Sequence, residues 1–504
     1  MVDLNWKGKS EKIFEKFKDT NTKPFQTIET YQNFQNQSIN FNIDQDWSNY
    51  LLWGDNFDVM ANLLRDFSGK INLIYIDPPF ATGGDFNLKV LIGDLKETNK
   101  TTQWINKKAY QDSWKEGIES YLNFMYERLY LTKELLSENG SIYIHLNWHL
   151  GHYIKIIMDE LFGIENFKNE IIFAYPAASV QTRRFFMRSY DIILFYTKSD
   201  NYIFNDDEDI YMEYSNRVKN ALKKDDKGIF YYRGGSHNGK KLSQKVYVEN
   251  KGIFPRDVWN DIPYVRANTI EYQGFSTQKP ERLLKRIILA SSNENDIVAD
   301  FFCGSGTTLL VAEKLNRHWI GCDINKHAID MTKKRILDVQ NSNDLYIWKN
   351  KYAKSPNPFK VVKLNTIENR TIVAKEFLID NKNEDKTLKI SENPNFTVDL
   401  KIDDNNCVVE LINYTVPFIT VISDEIKNKI TSFSDWIDYW AVDFDNQNNI
   451  FDIKWISYRT PKNRKLELSS ISYVYDKSSS YTVLIKVIDI FGIETIQNYN
   501  LEIH

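Results

Sequence analysis

Cysteine is scarce in this chain: Cys303, Cys322 and Cys407 are the only three among 504 residues. So small and odd a number excludes a disulfide scaffold and fits a reducing compartment, and the spacing is not that of a zinc site. No run reaches about 18 apolar residues, so no membrane span is expected. The N-terminal stretch MVDLNWKGKSEKIFEKF has no apolar core, so no secretory leader is expected and the expected location is the cytoplasm. Charge of one sign is also missing. Against 68 acidic residues stand 64 basic ones, a net −4, so the chain is not a basic coat and any nucleic-acid surface must be local. His145, His149, His152 and His318 have no HExxH or other ligand spacing, and no metal site is expected. GGSHNGKK (234–241) misses a P-loop because Lys241 stands where a Ser or Thr must bind magnesium, so no ATP-driven motor is expected.

What is present is a globular composition, 42% hydrophobic and 14% aromatic, with length for about three domains. Residues 1–48 are polar and Asn/Gln/Thr-rich and read as a loosely packed arm. From 49 to 200, apolar runs alternate with helical periods: Leu51–Trp53, a helix carrying Val59, Met60, Leu63 and Leu64, then INLIYI (71–76), a helix over 121–136, and strands at 141–146 and 191–196. Continuous apolar strands alternating with helices predict an α/β fold with a mostly parallel sheet, covered on both faces. Residues 201–270 interrupt this pattern, and 271–341 resume it. There Pro280 opens a helix, 296–302 is a strand, 307–315 a helix and 318–322 a strand. Residues 342–434 and 435–504 turn to short alternating strands and predict all-β modules.

Two motifs carry chemistry. In the first, Asp300-Phe301-Phe302-Cys303-Gly304-Ser305-Gly306-Thr307-Thr308, a strand enters a Gly-x-Gly turn that opens a helix, and Asp323 ends the next strand. Glycines admit a ligand close to the backbone, and the acid suits ribose hydroxyls. The full GxGxxG fingerprint of a dinucleotide site is absent, so a nucleoside without phosphates, such as S-adenosylmethionine, fits better. An ordinary strand–helix turn has the same outline. The second motif is Asp77-Pro78-Pro79-Phe80, directly after INLIYI. Two prolines fix the backbone. A carboxylate and the rigid Pro78 carbonyl then form an acceptor pair for an exocyclic amino group, and Phe80 offers a face for a base. A proline-rich loop with Asp77 as a simple cap is the plainer alternative. Together, at carboxyl ends of parallel strands, the motifs mark the rim where such sheets bind ligands.

In this order the two motifs resemble the amino-group DNA methyltransferases of the beta permutation, across about residues 50–335. The resemblance implies a Rossmann-like methyltransferase fold, S-adenosylmethionine as cofactor, and methyl transfer to an exocyclic nitrogen of a flipped base in duplex DNA. It implies that Asp77, Pro78, Pro79 and Phe80 are catalytic. It implies that Asp55 and Asn56 meet the cofactor's adenine, and that Thr277, Gln278 and Lys279, followed by Pro280, meet its methionine end. Phe302, Gly304, Ser305, Gly306, Thr307 and Asp323 complete the implied cofactor site. Asp rather than Ser at 77 favours adenine N6 over cytosine N4. No Pro-Cys dipeptide exists for cytosine-C5 chemistry, and Cys303 reads as a small packing residue. A modification component of a restriction or defence system is implied, with a restriction or helicase subunit or a second copy as partner. A catalytically idle DNA-recognition subunit is the alternative from another class.

Residues 211–256 hold eleven basic and four acidic residues, a local +7. Phe230, Tyr231, Tyr232 and Tyr247 interleave with them, which suits a target-recognition region touching phosphates and a groove; a solvated insertion is the alternative. Arg217, Lys223, Lys224, Arg233, Lys240 and Lys241 are its candidate DNA contacts, with Arg183 and Arg184 from the basic–aromatic loop at 181–185. Residues 435–504, with AVDFD and YTVLIKVIDIFG, resemble PKD-like or immunoglobulin-like sandwiches.

Overall fold

The computed structural model describes residues 4–7, 9, 24–32, 47–81, 85–94, 104–111, 114, 117–175, 184, 186–237, 240–248, 252–364, 395–416, 422–447 and 450–504. An eleven-stranded sheet organises them. Across the sheet the strands run Val258–Trp259, Phe167–Ala174, Tyr190–Thr197, Leu136–Leu146, Ile71–Ile76, Ile297–Asp300, His318–Asp323, Asn49–Trp53, Phe359–Leu364, Phe25–Tyr31 and Phe451–Asp452. The six from Leu136–Leu146 to Phe359–Leu364 pair in parallel, as the α/β alternation predicts.

Ile71–Ile76 shows why the run is apolar on both sides. Leu73 and Tyr75 enter one core with Val298, Leu309 and Trp319, while Ile74 and Ile76 enter the other with Met125, Ala299 and Ile320. The helices cover these faces. Asn56–Phe67 is capped by Asp55, whose side chain accepts from the Phe57 N–H, and it buries Val59, Met60 and Leu63. Glu281–Ser291 follows Pro280 and packs Leu283, Leu284, Ile287 and Ile288 inward. Among the described residues no helix is long and apolar enough to cross a membrane.

The arm and the β-rich region differ from expectation. Phe25–Tyr31, placed by its polar composition in a loose arm, is a strand antiparallel to Phe359–Leu364. Its Glu29 is buried against Lys333 at 2.6 Å and Lys486 at 3.0 Å. Phe359–Leu364 itself extends the methyltransferase-like sheet rather than starting a separate module. An unanticipated hairpin, Asp85–Leu91 with Trp104–Gln111, follows the Asp77–Phe80 segment.

At the C-terminus, Asn395–Asp403, Asn406–Thr415 and Tyr473–Val474 form one antiparallel sheet. Trp455–Tyr458, Ile437–Asp443, Ser479–Asp489 and Glu494–Ile503 form another. They share a core of Val409, Leu411, Trp440, Val442, Val483 and Val487. Alternating inward positions on facing strands make this the arrangement of a sandwich.

Candidate active site

Register brings the two motifs to one rim. Val298 and Ala299 pair with Leu73 and Ile74, Asp300 with Gly321, and Asp323 with Trp53. Counting on from these pairs sets Asp77, Phe302 and Asp323 level. Strands lie about 4.8 Å apart, so Asp77 and Asp323, two strands apart, stand about 10 Å apart at backbone level.

At the Asp77 corner, Pro78 is buried, and Asn147 donates from Nδ2 to the Phe80 carbonyl at 3.1 Å. Ala81 then turns the chain at φ +50°, a left-handed angle that a non-glycine residue adopts at a cost of order 1–3 kcal/mol. Asp77 Oδ2 pairs with the Lys279 ammonium. Asp77 Oδ1 is buried with no hydrogen-bond partner among the described residues. A buried acceptor left unpaired is costly, and such costs persist where a ligand supplies the missing donor. Behind Phe80 runs a polar chain the sequence did not reveal. The Tyr75 hydroxyl lies 2.9 Å from His145 Nδ1, His145 Nε2 lies 3.2 Å from Asp191 Oδ2, and Tyr175 donates to Asp191 Oδ1 at 3.1 Å. With Nε2–H donating to Asp191, Nδ1 accepts from Tyr75. The fully buried His145 ring lies 6.3 Å from that of Phe80, at 25° to it. Burial opposes charge on Asp191, yet hydrogen bonding and attraction from His145 hold its carboxyl below the usual range.

The glycine turn is built to stay open. Gly304 has φ +50° and Gly306 φ +74°, both left-handed. A Cβ on Gly306 would stand 2.6 Å from Thr332 Cγ2. Thr332 Oγ1 donates to the Gly304 carbonyl at 3.0 Å, and Arg335 donates to the Ser305 carbonyl at 3.0 Å and to Thr307 Oγ1 at 2.8 Å. The side chains of Ser305 and Thr307 are buried behind the turn, so of these residues the backbone lines the rim. Asp323 accepts the Gly304 N–H at 2.9 Å through Oδ2 and the Asn325 N–H at 2.8 Å through Oδ1. Burial pushes the Asp323 carboxyl up to about 6 and the neighbouring Asp300 carboxyl up to about 7. Phe302 packs edge-on against Phe124 at 6.1 Å.

Gly54 joins the rim by donating its N–H to the Asp323 carbonyl at 3.1 Å. Asp55 and Asn56 follow, gripped by Arg128, whose Nη2 donates to Asp55 Oδ1 at 2.9 Å and whose Nε donates to Asn56 Oδ1 at 2.5 Å. Asn56 Nδ2 reaches the Phe301 carbonyl at 2.9 Å. The Thr277–Pro280 element divides. Gln278 turns inward to the Glu271 carbonyl at 2.6 Å and the Gln273 N–H at 2.8 Å. The Lys279 ammonium, expected at the cofactor's methionine end, pairs here with Asp77 and also contacts the Thr277 carbonyl at 3.3 Å.

In the interrupting region, Gly228–His237 pairs with Lys240–Tyr247 and with Lys223–Asp225. Arg217, Lys223, Lys224 and Arg233 are exposed there. Phe230 is not a free stacking face. It is buried under Lys245, whose ammonium lies 3.9 Å from its ring, and Lys245 is itself paired with Asp225. Tyr232 stays half exposed. Lys240 and Lys241 open the second hairpin strand, opposite His237 and Ser236. Arg184 is exposed, whereas Arg183 lies outside the described residues.

Several known proteins are similar to this chain. Type II methyltransferase M.EcaI of Enterobacter cloacae is 31% identical over 336 residues, 57% of this chain and 69% of that protein. DNA adenine methyltransferase YhdJ of Escherichia coli (strain K12) is 31% identical over 312 residues, 62% of this chain and 91% of that protein. A probable type III restriction-modification enzyme, the HindVI Mod subunit of Haemophilus influenzae, is 25% identical over 400 residues, 57% of this chain and 50% of that protein. The DNA methylase family model (N6_N4_Mtase) matches residues 71–334, from the strand that delivers Asp77 to the helix that braces Gly304 and Gly306, and the chain belongs to that family.

Proposed function

We propose that this DNA methyltransferase moves a methyl group from S-adenosylmethionine to the N6 amino group of an adenine flipped out of duplex DNA. The observation that carries the reading is the unpartnered Asp77 Oδ1, on a residue level with Phe302, just ahead of the glycine turn, and with Asp323. It is an acceptor awaiting a donor, on a residue whose backbone lies about 10 Å from that of Asp323, the carboxylate that suits ribose hydroxyls.

The residues present fit the cofactor. Left-handed Gly304 and Gly306 keep side chains out of the cradle, Asp323 offers acceptors to the ribose, and the Asp55-Asn56 turn held by Arg128 closes the adenine end. When bound, S-adenosylmethionine supplies an electrophilic methyl on a sulfonium. The chain's own work is positioning and polarisation. Asp77 and the Pro78 carbonyl accept the two amino hydrogens, which aims the nitrogen lone pair and stabilises those hydrogens as they become acidic. Phe80 stacks on the base, and Asn147 and His145 hold that segment in place.

Adenine is favoured over cytosine by Asp at position 77 and by the relative named an adenine methyltransferase. In this reading residues 49–200 and 271–341 carry catalysis and cofactor, 201–270 reads the target, and the β modules at 342–434 and 435–504 support the assembly. The Mod-subunit relative supports a place in a restriction-modification system beside a restriction subunit, acting on DNA in the cytoplasm. The test is incubation with methyl-labelled S-adenosylmethionine and plasmid DNA, then mass spectrometry of the nucleosides. N6-methyladenine is expected; N4-methylcytosine, or no methylated base, would overturn the assignment.

A further inference from the structure

Lys279 occupies one oxygen of the carboxylate whose other oxygen awaits the substrate. Its ammonium pairs with Asp77 Oδ2 and lies 5.3 Å from the centroid of the Phe80 ring, with only 13% of its side chain exposed. A donor nitrogen on the Asp77 carboxylate and over the Phe80 face is the placement the target amino group requires.

Charge opposes both nitrogens holding the one carboxylate together. The amino nitrogen gains positive charge as it takes the methyl group, and an ammonium left on Asp77 would oppose that charge in a site of low dielectric. An empty corner would leave the part-buried Asp77 carboxylate without a cation, which is also costly. A lysine satisfies both demands because its long flexible stem lets one charge serve two positions.

We propose that Lys279 is a placeholder for the target amino group, seated on Asp77 in the free enzyme and displaced from it when the base enters. This rests on the methyl-transfer reading above. The test uses the full-length protein and a duplex with 2-aminopurine at the mapped target adenine, without cofactor. Lys279→Met and Lys279→Gln are each checked by thermal melting, and sinefungin binding is measured alongside. Both variants are expected to bind the duplex roughly three- to tenfold more tightly, with a larger rise in 2-aminopurine emission, because no ion pair must be broken first. Sinefungin affinity is expected to stay within twofold. Unchanged or weaker base capture overturns the placeholder. So does a tenfold loss of sinefungin affinity with base capture unaltered, which would make Lys279 a cofactor ligand. Wild-type methyl transfer is measured first: its absence sinks the methyl-transfer reading, whereas transfer with unaltered base capture sinks the placeholder alone.

Discussion

Asp323 accepts the backbone N–H of Gly304 at 2.9 Å, tying the end of one strand to the glycine turn that leaves its neighbour. The same carboxylate is the candidate ribose acceptor, so cofactor binding and the shape of the turn depend on one charge. Burial raises its pKa to about 6, above the usual aspartate value. Asp323 is thus ionised above about pH 6 and protonated below it. S-adenosylmethionine affinity is expected to fall as pH drops from 7.5 to 5.5, and Asp323→Asn to bind weakly with little pH dependence. Calorimetric titration across that range checks it.

Gly306→Ala is expected to cost cofactor binding more than tenfold and stability about 2 kcal/mol. The residue sits at φ +74°, and the added Cβ would meet Thr332 at 2.6 Å. Gly69→Ala is the control: it shares the strained sign of φ, +66°, but nothing lies within 4 Å of its Cβ. It is expected to lose about 1 kcal/mol and no cofactor affinity. Melting curves and dissociation constants separate the two effects.

Glu29 joins three parts of the chain. It lies in the Phe25–Tyr31 strand, pairs with Lys333 of the helix bracing the glycine turn, and pairs with Lys486 of the C-terminal sandwich. Burial alone would raise its carboxyl, but the two ammonium groups pull it well below the usual range. A depressed carboxylate stabilises the fold above its unfolded pKa, and that share is lost as pH falls through the folded value. Glu29→Gln is expected to destabilise by about 3–5 kcal/mol at pH 7, because two buried ammonium groups lose their counter-charge. The difference from wild type is expected to shrink below about pH 4. Denaturant unfolding at pH 7 and at about pH 2.5 measures it.

Arg233 and Lys224 are exposed on the small sheet of the interrupting region, and among the described residues neither has the kind of carboxylate partner that occupies Lys245. Arg233→Ala and Lys224→Ala are each expected to weaken DNA binding at low salt and lower the slope of log K against log salt by about one. Lys245→Ala is expected to change that slope less, since Asp225 already neutralises the charge. Binding isotherms at four salt concentrations decide.

The legible part of this molecule is the part whose burial is local. INLIYI and the 296–302 strand announce themselves as apolar runs, and the Asp77–Phe80 and Gly304–Gly306 signatures follow them directly. Phe25–Tyr31 was not legible. Its sequence FQTIETY offers little apolar surface, and its buried Glu29 is stabilised by lysines about 300 and 450 residues further on. The pairing of Lys279 with Asp77 spans 202 residues in the same way. Phe230 misled for the opposite reason, since an aromatic among lysines reads as a stacking face until Lys245 is seen lying across it.

The most direct test of a joint site is a pair of substitutions read by two assays. Asp77→Ala is expected to bind S-adenosylmethionine within threefold of wild type yet transfer methyl groups at least a hundredfold more slowly, whereas Asp323→Ala fails at binding. Methyl transfer by Asp77→Ala at the wild-type rate would contradict the account.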